Sequence, residues 1–331
     1  MIKSDFMKPE DIKALLGEHW EKTGSYIFSS LSSDIDMLQK VNESILLHSG
    51  KQLRPLLSLL VAMACSGGKP TENTYRFAAA SELLHNATLL HDDVADSSDQ
   101  RRGVPTVRSL MGPSVSVLLG DYWLVKAMEL ILSGGDGGRV IRIFSNTLSD
   151  LAEGEMLQLQ KAETGDTSIE DYTKIIYKKT ASLFVAASLS AAISVGADEK
   201  LERAVTEYAS SIGLAFQIRD DIFDYSMSPE VGKPTGVDVL EQKITLPLLG
   251  AFINAPHEES RIRNMVATIH DCPDRRDEIL TFVKDNKGVD YAETVLEGYV
   301  NQAIDSLRNL PDSWYKDRLA ELAAYVGQRS K

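Results

Sequence analysis

Cysteine is nearly absent: the 331 residues include only Cys65 and Cys272, far apart in the chain. That argues against a disulfide framework and fits a reducing cytoplasm. Net positive charge is lacking too. With 35 Lys and Arg against 48 Asp and Glu, the net charge is −13, which argues against general nucleic-acid binding. Met1 to Lys22 carry charges throughout and have no apolar core of signal-peptide type. The one long uncharged run, Thr180 to Ala197, approaches the length of a bilayer span. Ser182, Ser188, Ser190, Ser194 and Gly196 interrupt it among many alanines, so it reads as a buried central helix and not as a transmembrane segment. Strand alternation is hard to find, and no solenoid period occurs. Against these absences, a hydrophobic fraction of 43% is enough for a sizeable core.

Helical periodicity dominates. Segments near 9–22, 25–46, 52–66, 71–97, 114–133, 138–160, 169–176, 180–195, 199–225, 242–254, 258–270, 274–286, 289–309 and 313–328 suit amphipathic or buried helices. Ser66-Gly67-Gly68-Lys69-Pro70 ends one helix, and Gly134 to Gly138 reads as a plain connector, since it has neither the lysine nor the hydroxyl of a phosphate loop. Met227 to Val237, with Pro229, Gly232, Pro234 and Gly236, reads as an ordered loop or lid. None of these is long enough to link domains. The expectation is a single all-α domain over residues 1–331.

The chain's one internal repeat is acidic. Asp92-Asp93-Val94-Ala95-Asp96 recurs roughly 130 residues later as Asp220-Asp221-Ile222-Phe223-Asp224. On a helix the first and last Asp of each cluster share a face, and the second lies beside them. Carboxylates crowded in this way repel unless a cation neutralises them, and hard oxygen ligands suit Mg²⁺. Two such clusters sharing one cavity would hold several Mg²⁺ ions around a diphosphate.

Basic residues offset the acidic balance locally. Lys51 and Arg54 lie in Gly-Lys-Gln-Leu-Arg-Pro; Arg101-Arg102-Gly103 follows the first acidic cluster; Lys179 precedes the uncharged helix; Lys233 and Lys243 flank the loop after the second cluster. Arginine offers bidentate hydrogen bonds to phosphate, and lysine a mobile point charge.

These motifs, with Lys179-Thr180-Ala181-Ser182-Leu183, Phe216-Gln217-Ile218-Arg219-Asp220-Asp221 and Gly232-Lys233-Pro234-Thr235-Gly236-Val237-Asp238, stand in the order found in trans-isoprenyl diphosphate synthases. The chain resembles that family from about residue 45 to 250. The resemblance implies an isoprenoid-synthase helical bundle around a central cavity and a head-to-tail prenyl transfer. An allylic diphosphate would bind through Mg²⁺, three ions per site, to Asp92, Asp93, Asp96, Asp220, Asp221 and Asp224, helped by Arg101, Lys179, Lys233 and Lys243. Isopentenyl diphosphate would bind Lys51, Arg54, His85 and Arg102. Thr180 and Gln217 would face the allylic cation. A homodimer is implied as well. His91 is expected to be structural, and Phe216, Phe223 and Tyr225 to be cavity wall or core.

Alternatives remain at this point: a short-chain synthase making farnesyl or geranylgeranyl diphosphate, a class I terpene cyclase, or a non-catalytic partner subunit. A cyclase has no use for the isopentenyl pocket, and a silent partner commonly loses an acidic cluster. Product length is read from the helix before the first cluster. Ala87 and Thr88 lie about 6–8 Å below Asp92, Leu84 about 12 Å and Phe77 about 22 Å, at 1.5 Å per residue. Small residues in the upper positions resemble long-chain synthases of octaprenyl type, whose product would serve as a respiratory quinone side chain and draw a cytoplasmic enzyme loosely to a membrane. Replacing Ala87 and Thr88 together by Phe is expected to shorten the product sharply while turnover persists. Chromatographic sizing checks this, and an unchanged product distribution would remove this reading of product length.

Overall fold

The computed structural model describes residues 6–48, 50–101, 103–135, 137–225 and 235–329. In chain order the helices are α1 (Pro9–Leu16), α2 (Glu18–Ser30), α3 (Asp36–Leu47), α4 (Leu53–Ser66), α5 (Glu72–Ala95), α6 (Val107–Met111), α7 (Pro113–Leu132), α8 (Gly137–Thr164), α9 (Ile169–Ile176), α10 (Ser182–Ser194), α11 (Glu199–Asp224), α12 (Val237–Leu240), α13 (Leu246–Asn254), α14 (Glu259–Ala267), α15 (Arg275–Asp285), α16 (Gly288–Ser306) and α17 (Trp314–Gln328). Between α5 and α6, the strands β1 (Gln100–Arg101) and β2 (Val104–Pro105) form a small antiparallel hairpin. The architecture is all-α.

The chain forms two compact units, each assembled from separate stretches. The first comprises Met1–Ser145, Ala186–Thr206 and Asn309–Leu319. Within it α5 packs on α2, α4 and α7. Thr71 starts α5 with a reciprocal cap: its hydroxyl accepts from the Thr74 amide, and the Thr74 hydroxyl accepts from the Thr71 amide. Alanines 78, 79 and 80 are fully buried on α5, beside Phe77, Leu83 and Leu84. Some polar groups in this core are paired across segments. Trp123 Nε1 donates to Asn42 Oδ1 at 2.8 Å, and Asn42 Nδ2 donates to the Leu31 carbonyl at 2.8 Å. The uncharged α10 is buried over much of its length, as its alanines and serines require; its Ser58 contact, from Oγ to the Ala187 carbonyl at 3.1 Å, spans 129 residues of chain.

The second unit comprises Asn146–Val185, Glu207–Arg308 and Ala320–Lys331. Here α13 packs on α16, α15 and α9. Two glycines permit close passage. A Cβ at Gly213 of α11 would come 2.6 Å from Ala181 Cα, and one at Gly288 would come 2.0 Å from the Pro247 carbonyl oxygen.

Several boundaries differ from expectation. The helix expected over 9–22 breaks at Gly17, whose φ of 50° ends α1. The one expected over 25–46 is split between α2 and α3, and Ser33 Oγ accepts from the Ile35 amide at 3.2 Å in the intervening turn. The helix expected from 242 starts at Leu246, after a left-handed Gln242 (φ 58°) and with Pro247 in its first turn. Conversely, the segments near 169–176 and 180–195 are continuous, joined by a π-helical turn over Tyr177–Ala181. The β1–β2 hairpin escaped notice because two-residue strands have no room for alternation.

Gly288→Ala is expected to cost about 3 kcal/mol, because a backbone carbonyl cannot step aside for the new methyl. Gly298→Ala, in the same helix with nothing within 4 Å of the added carbon, is expected to stabilise by about 0.5–1 kcal/mol. Urea unfolding midpoints of the two variants against wild type read both signs.

Candidate active site

The second acidic cluster closes α11. It is held in the second unit by several partners, of which Tyr172 and Arg329 were not singled out in the sequence. Tyr172 of α9 donates its hydroxyl to Asp221 Oδ2 at 2.5 Å, and Gln217, one turn earlier on α11, donates Nε2 to Asp221 Oδ1 at 2.9 Å. The Gln217 carbonyl in turn accepts from the Thr180 hydroxyl at 2.8 Å. A chain of hydrogen bonds therefore runs Tyr172–Asp221–Gln217–Thr180 and fixes the orientation of the Gln217 amide. Asp224 is the last residue of α11. Its carboxylate accepts from the Val237 and Asp238 amides at 3.0 and 2.9 Å. Asp220 pairs with Arg329 at 2.6 Å, and the same guanidinium donates to the Phe216 carbonyl and lies 4.0 Å from the Phe216 ring centroid. Phe216 and Phe223 thus flank an arginine, while Tyr225 is buried.

A cavity of about 150 Å³ in this unit is lined by Tyr172, Lys179, Thr180, Gln217, Asp221, Asp238 and Lys243, among others. Five residues expected at the allylic site, Lys179, Thr180, Gln217, Asp221 and Lys243, therefore share one space. Lys179 and Thr180 reach it from the π-helical turn, a local widening that recurs at functional sites. Gly154 of α8 makes room for that turn: a Cβ there would lie 2.8 Å from Lys178 Cβ and 2.9 Å from Lys179 Cγ. Acidic residues of α8 hold both lysines. Lys178 bonds Asp150 and Glu153 at 2.6 and 2.8 Å, and Lys179 pairs with Glu155. Lys243 pairs with Glu241.

The electrostatics are lopsided. Burial, followed by the charges of Asp220 and Asp224, pushes the Asp221 carboxyl up to about 7 despite its two donors. Burial also raises Asp224, and raises Asp238 well above the carboxylate range with help from the charges of Asp221 and Asp224. Burial and mutual repulsion thus disfavour the charged forms of Asp221, Asp224 and Asp238. A hard divalent cation with oxygen ligands would favour them, so the donor set fits Mg²⁺. Among the described residues, no three His, Cys, Asp or Glu side chains are gathered as a ready-made ligand cluster. Those of the second acidic motif are turned to Arg329, Tyr172, Gln217 and the α12 amides.

The first acidic cluster ends α5 in the first unit. Asp93 is buried and accepts from Arg101 Nε at 2.8 Å; Asp92 is half-buried and Asp96 exposed. The hairpin brings Arg101 back toward α5. The Nε2 of His91, expected to be structural, lies 3.3 Å from both the Val117 carbonyl and Asp121, and a Cβ at position 120 would lie 2.3 Å from the ring. Lys51 precedes α4 and Arg54 is buried in its first turn, while His85 is half-buried on α5. Ala87, Leu84 and Phe77 are buried on α5. Thr88 is half-buried and donates to the His85 carbonyl at 2.8 Å. Phe77 abuts Gly134 at the end of α7. Arg102, Lys233 and all but the last three residues of the expected 227–237 lid lie outside the described residues.

The polyprenyl synthetase family model matches residues 35–283. The chain belongs to the polyprenyl synthetase family. It is 34% identical to the octaprenyl diphosphate synthase of Haemophilus influenzae over 98% of both chains. Among solved structures, a decaprenyl diphosphate synthase from Rhodobacter capsulatus superposes with a TM-score of 0.89 at 33% identity, covering 97% of this chain and 98% of that one. A polyprenyl synthase from Caulobacter crescentus CB15, complexed with calcium and isoprenyl diphosphate, also gives 0.89, at 30% identity over 99% of each chain. The all-α architecture is thus the isoprenoid-synthase fold of these polyprenyl synthases.

Family membership could not identify Tyr172, Glu155 or Arg329 as site neighbours, since no local motif marks them. Asp238 did carry a signal, as the last residue of the Gly232-to-Asp238 motif. Gly154→Val is expected to push the π-helical turn away from the cavity and lower prenyl transfer at least about tenfold with helicity retained. Gly138→Val, whose Cβ would meet nothing within 4 Å, serves as control. Equal turnover in the two variants would show that the close approach is unimportant.

Proposed function

We propose that this chain is a trans-polyprenyl diphosphate synthase. It condenses isopentenyl diphosphate head-to-tail with an allylic diphosphate to make an all-trans product of medium to long chain. The observation that carries the reading is the cavity where Lys179 and Lys243 flank the Thr180–Gln217–Asp221 hydrogen-bond chain, in a member of the polyprenyl synthetase family.

Lys179, Lys243, Lys233 and Arg101 bind the allylic diphosphate and steady the negative charge that grows on it as the allylic C–O bond breaks. Asp92, Asp93, Asp96, Asp220, Asp221 and Asp224 would hold Mg²⁺, which when bound would neutralise the same charge. The calcium in the Caulobacter relative and the unbalanced carboxyls of Asp221, Asp224 and Asp238 support a divalent cation here. Thr180 donates to the Gln217 carbonyl, which keeps a second lone pair toward the developing cation. Lys51, Arg54, His85 and Arg102 hold isopentenyl diphosphate, whose double bond attacks the allylic carbon. The proton lost in the last step passes to the departing diphosphate, so no side-chain base is required.

The small Ala87 and Thr88 leave the growing chain room along α5, with Leu84 or Phe77 as floor. One polyprenyl synthetase domain over 1–331 carries the activity, because each compact unit draws on segments that alternate along the chain. Exposed Leu118, Val125 and Leu132 repeat every seven residues on α7 and support a homodimer. No helix among the described residues is long and apolar enough to cross a membrane. We assign the product to a quinone side chain, made in the cytoplasm by an enzyme that its lipid product draws to a membrane surface.

Purified protein incubated with Mg²⁺, isopentenyl diphosphate and farnesyl diphosphate is expected to give products well beyond twenty carbons, and EDTA to abolish them. Products stopping at fifteen or twenty carbons would move the chain to the short-chain synthases. No elongation with metal present would remove the prenyl-transfer reading.

A further inference from the structure

Residues 50–52, just before α4, include two with positive φ. Gln52, just before α4, has left-handed backbone (φ 43°, ψ 50°), and Gly50 has φ 70°. A residue with a Cβ adopts that region at a cost and keeps it only where its surroundings over-determine it. Between these two residues, the Lys51 carbonyl accepts a 2.5 Å hydrogen bond from the Lys13 ammonium on α1, across 38 residues of chain.

Lys13 is not an ordinary surface lysine. Its Nζ lies 4.8 Å from the centroid of the Trp20 ring and is attracted by the charges of Glu10 and Glu82. Burial lowers its pKa. A cation withdrawn from water persists only where acceptors compensate it, and a carbonyl, an aromatic face and two carboxylates do so here. Glu82 is itself fully buried on α5, one turn before His85. The ammonium therefore joins α1 to the backbone that carries Lys51 and leads directly into Arg54.

We propose that Lys13 is a positioning residue for the isopentenyl diphosphate site, clamping the Lys51 carbonyl from α1 and thereby fixing the loop that presents Lys51 and Arg54. The inference rests on the prenyl-transfer reading above. Lys13 touches no substrate; it acts through the geometry of Gly50 to Gln52. Its loss should weaken capture of isopentenyl diphosphate and leave the allylic side alone.

The test uses Lys13→Met, which keeps the aliphatic stem and removes the donor, and Lys13→Arg, which restores a cationic donor. Rates are measured with isopentenyl and farnesyl diphosphate varied separately. Lys13→Met is expected to raise KM for isopentenyl diphosphate about tenfold, with KM for farnesyl diphosphate within about twofold and kcat within about threefold; Lys13→Arg should recover most of the loss. A second readout needs no turnover: tryptic cleavage after Lys51 should run about fivefold faster in Lys13→Met under native conditions, and near the wild-type rate in Lys13→Arg. Support requires both readouts to move. Either one at its wild-type level, or an equal rise in both KM values, overturns the proposal. If Lys13→Met does not fold, Lys13→Gln goes through the same two assays. A wild type that does not elongate farnesyl diphosphate fails the prenyl-transfer reading instead, and that control is seen before any variant is made.

Discussion

A carboxylate cannot be taken out of water without something to replace the lost hydration, and the arrangement around Asp221 follows from that demand. Tyr172 and Gln217 each give it one hydrogen bond. Gln217 can do so in only one orientation of its amide, and that orientation turns its carbonyl to Thr180. One buried charge therefore sets the rotamers of a tyrosine, a glutamine and a threonine on three separate segments. Even so, the two donors do not offset burial and the neighbouring Asp220 and Asp224 charges, and the carboxyl stays well above its usual range. The residual imbalance is what makes the place suited to a divalent cation.

The surrounding basic residues show the same economy. Lys178 and Lys179 are adjacent, and α8 supplies carboxylates for both, Asp150 and Glu153 for the first and Glu155 for the second. Only Lys179 also lines the cavity. In this acidic chain, cations beside the cavity are paired with carboxylates in this way, which fixes their positions. Arg329 does for Asp220 what Tyr172 does for Asp221, with the Phe216 ring completing its surroundings.

Much of the site was legible in the chain, for definite reasons. Asp220, Asp221, Gln217 and Asp224 lie on consecutive turns of one helix, so 3.6-residue geometry alone puts them together. Lys179 and Thr180 are neighbours in sequence and necessarily arrive together. Gly232 to Asp238 formed a recognisable motif, so Asp238 had a local signature. Tyr172, Glu155, Arg329 and Lys13 had none. Their contacts to Asp221, Lys179, Asp220 and Lys51 cross long stretches of chain. A lone tyrosine or lysine on an amphipathic helix looks the same whether it faces solvent or a buried carboxylate. Helix ends were misjudged where a positive φ decided them, as at Gly17 and Gln242, because apolar periodicity continues through such residues.

Sequence alone determined the all-α class, the doubled acidic motif, the basic residues ordered around it and the family that this order marks. Those features are local, since periodicity and motif spacing are properties of consecutive residues. Only the tertiary structure decided which side chain satisfies which buried charge, where a glycine lets two helices pass, and that the turn carrying Lys179 and Thr180 widens to a π-helix. Each of these depends on atoms brought together from distant parts of the chain, and the cost of burying a charge or a backbone group is settled only by the partner that packing supplies.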